Sequence, residues 1–146
     1  MNIGFDLDGV VIQQDQAIFN LIHQLPTEKK LACYRYYCSQ RSINFNPCDF
    51  LGHDDKGYFI TARGGDVADL TEEWCSRYYP QIKLILTNCY NVQAPWKGSD
   101  FAIAAKYKAI MDNEIDVFFE DSPEIVKALR INCENCKIIH YGGRII

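Results

Sequence analysis

The sequence predicts an α/β protein: a Rossmann-like three-layer α/β/α fold with a central parallel five-stranded sheet and a small helical cap insertion. Three observations predict it. Five short apolar runs have strand character, helical stretches alternate with the later runs, and an acidic loop follows the first run at Phe5-Asp6-Leu7-Asp8-Gly9-Val10. Strand–helix alternation implies a parallel sheet covered on both faces. Right-handed crossovers then gather the C-terminal strand ends along one edge, where ligands of such folds bind.

The first run, Asn2–Leu7, is apolar until the two aspartates and stops at Gly9, which lets the chain leave a strand sharply. The stretch from about 13 to 56 breaks the alternation. It predicts a helix over Asp15–Leu25, a stop and cap at Pro26-Thr27, and a second helix over Glu28–Ser39. We read it as a cap over the active edge rather than a separate domain, so that 1–146 forms one domain. Tyr58–Thr61 is the second strand. Asp66–Tyr79 is a helix with an acidic first turn, halted at Pro80. Ile82–Thr87 is the third strand, and Asp100–Asn113 a helix that Ser99 or Asp100 can cap. Asp116–Glu120 is the fourth strand. Ser122-Pro123-Glu124 opens another helix, with serine as cap and proline in its first position. Lys137–Tyr141 is the fifth strand.

A net charge of −4 over 146 residues argues against a broad nucleic-acid-binding surface. No apolar run approaches a membrane-spanning length, and the first residues do not resemble a secretory signal, so a cytoplasmic protein with no membrane partner is expected. Seven cysteines without a secretory signal are expected to be reduced thiols. Cys133-x-x-Cys136 with His140 has some zinc character, yet no second close pair completes a tetrahedral set.

Asp6 and Asp8 stand two residues apart. On a strand that spacing turns both carboxyls to one side, where they repel unless a cation sits between them. The pair therefore suggests a divalent metal site. Thr61 and Glu120-Asp121 follow other strands onto the same edge. Arg63 can clamp a carboxylate or phosphate on a substrate, or simply precede a helix. Asn88 reads either as a polar residue near the site or as a turn former. Tyr34, Tyr36 and Tyr37 can stack on a nucleobase, though their spacing also suits packing.

Taken in order, four short segments resemble the motifs of the haloacid dehalogenase-like superfamily of aspartyl-phosphate hydrolases. They are Phe5-Asp6-Leu7-Asp8-Gly9-Val10, Ile60-Thr61-Ala62-Arg63, Lys106, and Phe118-Phe119-Glu120-Asp121-Ser122. The resemblance spans nearly the whole chain and is nearest to small nucleotidase-like members. It implies a magnesium-dependent phosphomonoesterase in which Asp6 attacks phosphorus and Asp8 serves as general acid and base. Magnesium would be held by Asp6, the backbone carbonyl of Asp8 and Asp121, with Glu120 acting through water. Thr61, Ala62, Arg63 and Lys106 would bind the phosphoryl group, Thr61 by a hydrogen bond and Lys106 by charge. On spacing, Lys106 is preferred to Lys97 or Lys108 for that part. The implied substrate is a nucleotide or another small phosphorylated metabolite. The alternatives are a polynucleotide 3′/5′-phosphatase or a catalytically inactive binding module of the same fold.

Overall fold

The computed structural model describes residues 1–94 and 96–142, together with the backbone of 144–145. In chain order the elements are β1 (Asn2–Phe5), β2 (Gln14–Asp15), α1 (Gln16–His23), α2 (Thr27–Ser39), β3 (Lys56–Arg63), α3 (Ala68–Tyr78) and β4 (Ile82–Tyr90). They continue with α4 (Ser99–Asp112), β5 (Val117–Glu120), α5 (Pro123–Asn132), β6 (Lys137–His140) and β7 (Arg144–Ile145). Five strands form one sheet in the order β4-β3-β1-β5-β6, every neighbouring pair parallel. Helices cover both faces, as the buried apolar run Ile3-Gly4-Phe5 of β1 requires. The architecture is the Rossmann-like three-layer one.

Side-chain alternation divides the core. Phe5, Phe59 and Phe119 meet on one face with Cys75 and Tyr79 from the α3 side, and the Phe5 and Phe119 rings stack at 5.1 Å. Their sequence neighbours Ile60 and Phe118 point the other way, onto Ala109, Ile110 and Leu129 of α4 and α5. Gly4 makes this possible in the middle strand, since a Cβ there would stand 2.9 Å from the Phe118 ring.

β1 ends at Phe5 rather than Leu7. The Leu7 carbonyl accepts from the amides of Val10 and Ile12, closing a turn that takes both aspartates out of the strand. β3 and β4 run longer than the sequence predicted, and their register shifts between Thr61 and Arg63, where Thr61 faces Leu86 but Arg63 faces Tyr90. Helix starts also differ. Thr27 is the first residue of α2, with Pro26 at the cap position, so Thr27 does not cap. Gly98 occupies the cap position of α4, while Ser99 Oγ donates to Glu124 on α5 at 2.9 Å. Ser122 stands at the cap of α5 and Pro123 at its first position, but the serine side chain makes no capping bond.

The cap helices do not stand clear of the sheet. Ile22, Tyr34 and Cys38 are buried with Val67 and Val92 in a core cluster of their own. A second, two-stranded parallel sheet pairs β2 with β7 and was not foreseen. The seven cysteines are free thiols. Among the described residues no helix is long and apolar enough to cross a membrane.

Candidate functional site

The chain runs from β1 outward through β3 to β4, then returns to the other side of β1 for β5 and β6. This reversal opens a crevice at the C-terminal ends of β1 and β5, the place where open parallel sheets bind ligands. Asp6 follows β1 there, and Glu120-Asp121 closes β5. The two ends are stitched together, because the Asp6 amide donates to the Phe119 carbonyl at 3.0 Å. Gly9 in the loop after β1 has φ +85, a left-handed conformation, and a Cβ there would lie 2.0 Å from Asp121 Oδ2. Glycine thus admits both the turn and the Asp121 carboxylate.

Asp6, Glu120 and Asp121 are all buried, and each offers a carboxylate oxygen within 4.8 Å of the others. Lys106 reaches them from α4, 2 % exposed, with its Nζ 2.5 Å from Glu120 Oε2 and 3.3 Å from Asp6 Oδ1. Lys108 points out instead and pairs with Asp112. Of these two lysines, Lys106 is the one that reaches the carboxylates at the ends of β1 and β5. Glu120 is held on both oxygens, its Oε1 accepting the amides of Asp121 and Ser122 at 3.1 and 3.2 Å.

The titration of the set follows its packing. Burial raises the Asp6 carboxyl well above its ordinary value, and repulsion from Glu120 adds to this against the pull of Lys106. Burial also works against charge on Glu120, but the Lys106 ammonium prevails and lowers that carboxyl. Lys106 is stabilised as a cation in turn: Asp6 and Glu120 more than offset its desolvation.

Asp8 belongs to a different cluster. Its carboxylate is gripped by two arginines, with Arg63 Nε and Nη2 at 2.9 and 2.8 Å and Arg41 Nη1 at 2.6 Å. Burial pushes this carboxyl up, but Arg63 and then Arg41 outweigh it and hold it far below the usual carboxylate range. The turn after Phe5 separates the two aspartates, giving Asp6 to Lys106 and Asp8 to the arginines.

The second predicted segment is only partly brought to the site. Ala62 lines the cavity that holds Asp6, Asp8, Lys106, Glu120 and Asp121. Thr61 is 1 % exposed, and its hydroxyl accepts the Arg63 amide at 3.2 Å. Arg63 is turned inward at the register shift, onto Asp8 and the Thr71 hydroxyl at 3.0 Å. Asn88 lies inside β4 at φ 55, and its Oδ1 accepts the Gly65 amide at 3.0 Å. Tyr34 is buried in the cap core, Tyr36 is exposed, and the Tyr37 hydroxyl accepts the Asp15 amide. None of the three lines the acidic cavity.

Sequence reading missed Arg41 and an aromatic wall. Phe19 and His23 lie one turn apart on α1 with ring centroids 4.3 Å apart, and Tyr90 at the end of β4 stands 5.7 and 5.6 Å from them. Trp96 extends the wall at 6.0 Å from Tyr90. The i, i+4 spacing of Phe19 and His23 was the available signal.

Three carboxylates against one ammonium leave the Asp6, Glu120, Asp121 and Lys106 set with a formal charge of −2. All-oxygen donors and that charge fit a hard divalent cation such as magnesium. With Glu120 engaged on both oxygens, Asp6 and Asp121 are the residues that would hold it.

Fold and cavity together define a parallel α/β protein with a carboxylate-lined cleft at the reversal of its sheet. Searches against protein-family models, curated proteins and solved structures returned no match.

Proposed function

We propose that this chain is a magnesium-dependent phosphomonoesterase acting on a small phosphorylated substrate through an aspartyl-phosphate on Asp6. The observation that carries the reading is the convergence of Asp6, Lys106, Glu120 and Asp121 in one cavity at the ends of β1 and β5. Resemblance to haloacid dehalogenase-like hydrolases supplies the assignment of roles. An Asp6 oxygen attacks phosphorus while the ester oxygen leaves and takes a proton from Asp8. Water then attacks the acyl phosphate, Asp8 takes its proton, and inorganic phosphate departs with Asp6 restored. Lys106 supplies positive charge beside the attacking carboxylate. Bound magnesium would neutralise the carboxylate set and polarise a phosphoryl oxygen.

Asp8 as it stands is ionised, which suits the water step. Protonating the leaving group requires it first to gain a proton, and so the grip of Arg41 or Arg63 must open. The same grip favours one competing reading, a module that binds a phosphorylated ligand without cleaving it. Turnover of an aryl phosphate with and without magnesium separates the two. The proposal expects magnesium-dependent turnover that Asp6→Asn abolishes. Absent turnover, or turnover that survives the substitution, would overturn it.

A further inference from the structure

The cap holds a second cavity, and no described residue lines both it and the acidic one. It lies between α1 and α2 and measures about 670 Å³, within the range of about 300–1,000 Å³ typical of small-molecule sites. Ile18, Leu21 and Leu25 of the α1 side and Ala32 and Tyr36 of α2 give it apolar walls. Leu21 is 61 % exposed, so the walls open to solvent.

One end of the cavity is polar. The Gln13 amide donates to the Ser42 carbonyl at 2.8 Å there, and Arg41 stands beside them. Arg41 is 6 % exposed, and its guanidinium lies 4.5 Å above the Tyr37 ring. A guanidinium has five N–H groups. The described residues take three of them, Nε and Nη2 donating to the Gln13 carbonyl and Nη1 to Asp8. Charge is left over as well. Arg41 and Arg63 together face the single carboxylate of Asp8, an excess of one positive charge. Arg63 does not line the cavity, since its nitrogens are held by Asp8 and Thr71. Asp15, the one acid among the described lining residues, is turned to its own helix, where Oδ1 accepts the Ile18 amide. Its charge serves the start of α1.

We propose that the cap cavity is a second ligand site and that it takes an amphipathic monocarboxylate, the apolar body between α1 and α2 and the carboxylate on Arg41. A guanidinium with N–H groups to spare suits a carboxylate. One negative charge matches the excess of one, which a phosphate dianion overshoots. The site stands apart from the phosphomonoesterase reading, because no step of that chemistry takes place in it.

Decanoate, decanol and decylammonium share one alkyl chain and differ in the charge of the head group. Each is titrated calorimetrically into the protein, below the concentration at which it forms micelles. Decanoate is expected to bind at least about tenfold more tightly than the other two, as a hydrogen-bonded charge adds to the shared apolar burial. Leu21→Glu sets a like charge on an exposed wall residue and should abolish decanoate binding. Arg41→Gln should weaken it to the level of decanol. Absent binding of decanoate overturns the proposal, and so does equal binding of decanoate and decanol, which would leave an apolar cavity with no anion site. A preference for decylammonium overturns it in favour of Asp15 as the anchor. Decanoate binding that survives Leu21→Glu places the ligand elsewhere and sinks the proposal too. Should Arg41→Gln not fold, the head-group series and Leu21→Glu still decide.

Discussion

Each guanidinium nitrogen of Arg63 donates to a partner inside the protein, two to Asp8 and one to Thr71. An arginine this buried is a structural commitment, and removing it strands Asp8 beside Arg41 alone. Arg63→Met is expected to lower stability by about 3–5 kcal/mol, as loss of one partner of a buried ion pair does. Urea denaturation of the two proteins checks it. The pH dependence has a definite sign. The Asp8 carboxyl titrates lower folded than unfolded, so the stability it contributes is complete above its unfolded value near 4 and is lost as the pH falls below that. The difference between wild type and Arg63→Met should therefore narrow in acid. A gap that stays constant down to pH 2 would assign the cost of the substitution to packing. The sequence made Asp6, Lys106, Glu120 and Asp121 legible because residue type and strand position together fix where they fall. It could not show the partners of Asp8. Arg41 lies in an irregular segment, and the direction of Arg63 depends on a register shift that leaves no pattern in the chain.

α1 is the element on which the aromatic wall depends, and its start is secured by Asp15, whose Oδ1 accepts the Ile18 amide at 3.2 Å. Asp15→Ala should cost about 1 kcal/mol by loss of this cap. Thermal denaturation measures it, and an unchanged Tm would mean that α1 is held by its burial against α2 alone. The five strands of the main sheet were readable because each is a run of apolar or aromatic residues bounded by a polar turn. Helix starts were less so. Ser99 and Ser122 have the composition of caps, yet Ser99 bonds to Glu124 across to α5, and the amide of Ser122 is taken by Glu120. The α4 cap falls one residue earlier, at Gly98, and Ser122 stands at the cap of α5 with no capping bond from its side chain. β2 and β7 are two residues each, too short to carry any alternation.

For the molecule as a whole, the excess of carboxylates at the sheet reversal sets a charge that a cation can relieve. Because Asp6 titrates higher folded than unfolded, its penalty is absent below the unfolded value near 4 and grows as the pH rises above that. Magnesium should therefore raise Tm at neutral pH, by about 5–10 °C at a hundredfold excess over Kd, and by less in acid. Asp121→Asn should remove the shift in differential scanning fluorimetry, and an equal shift in that variant would place the ion elsewhere. The central position of β1 has another consequence, for biosynthesis. β1 leaves the ribosome before both of its partners, β3 on one side and β5 on the other, with Ile3 lying opposite Val117. Until β5 emerges, the edge of β1 that it will cover stays open, and Asp6 waits without Glu120. Synthesis thus leaves one edge of β1 unpaired between the emergence of β3 and that of β5, the kind of exposed edge that chaperones meet.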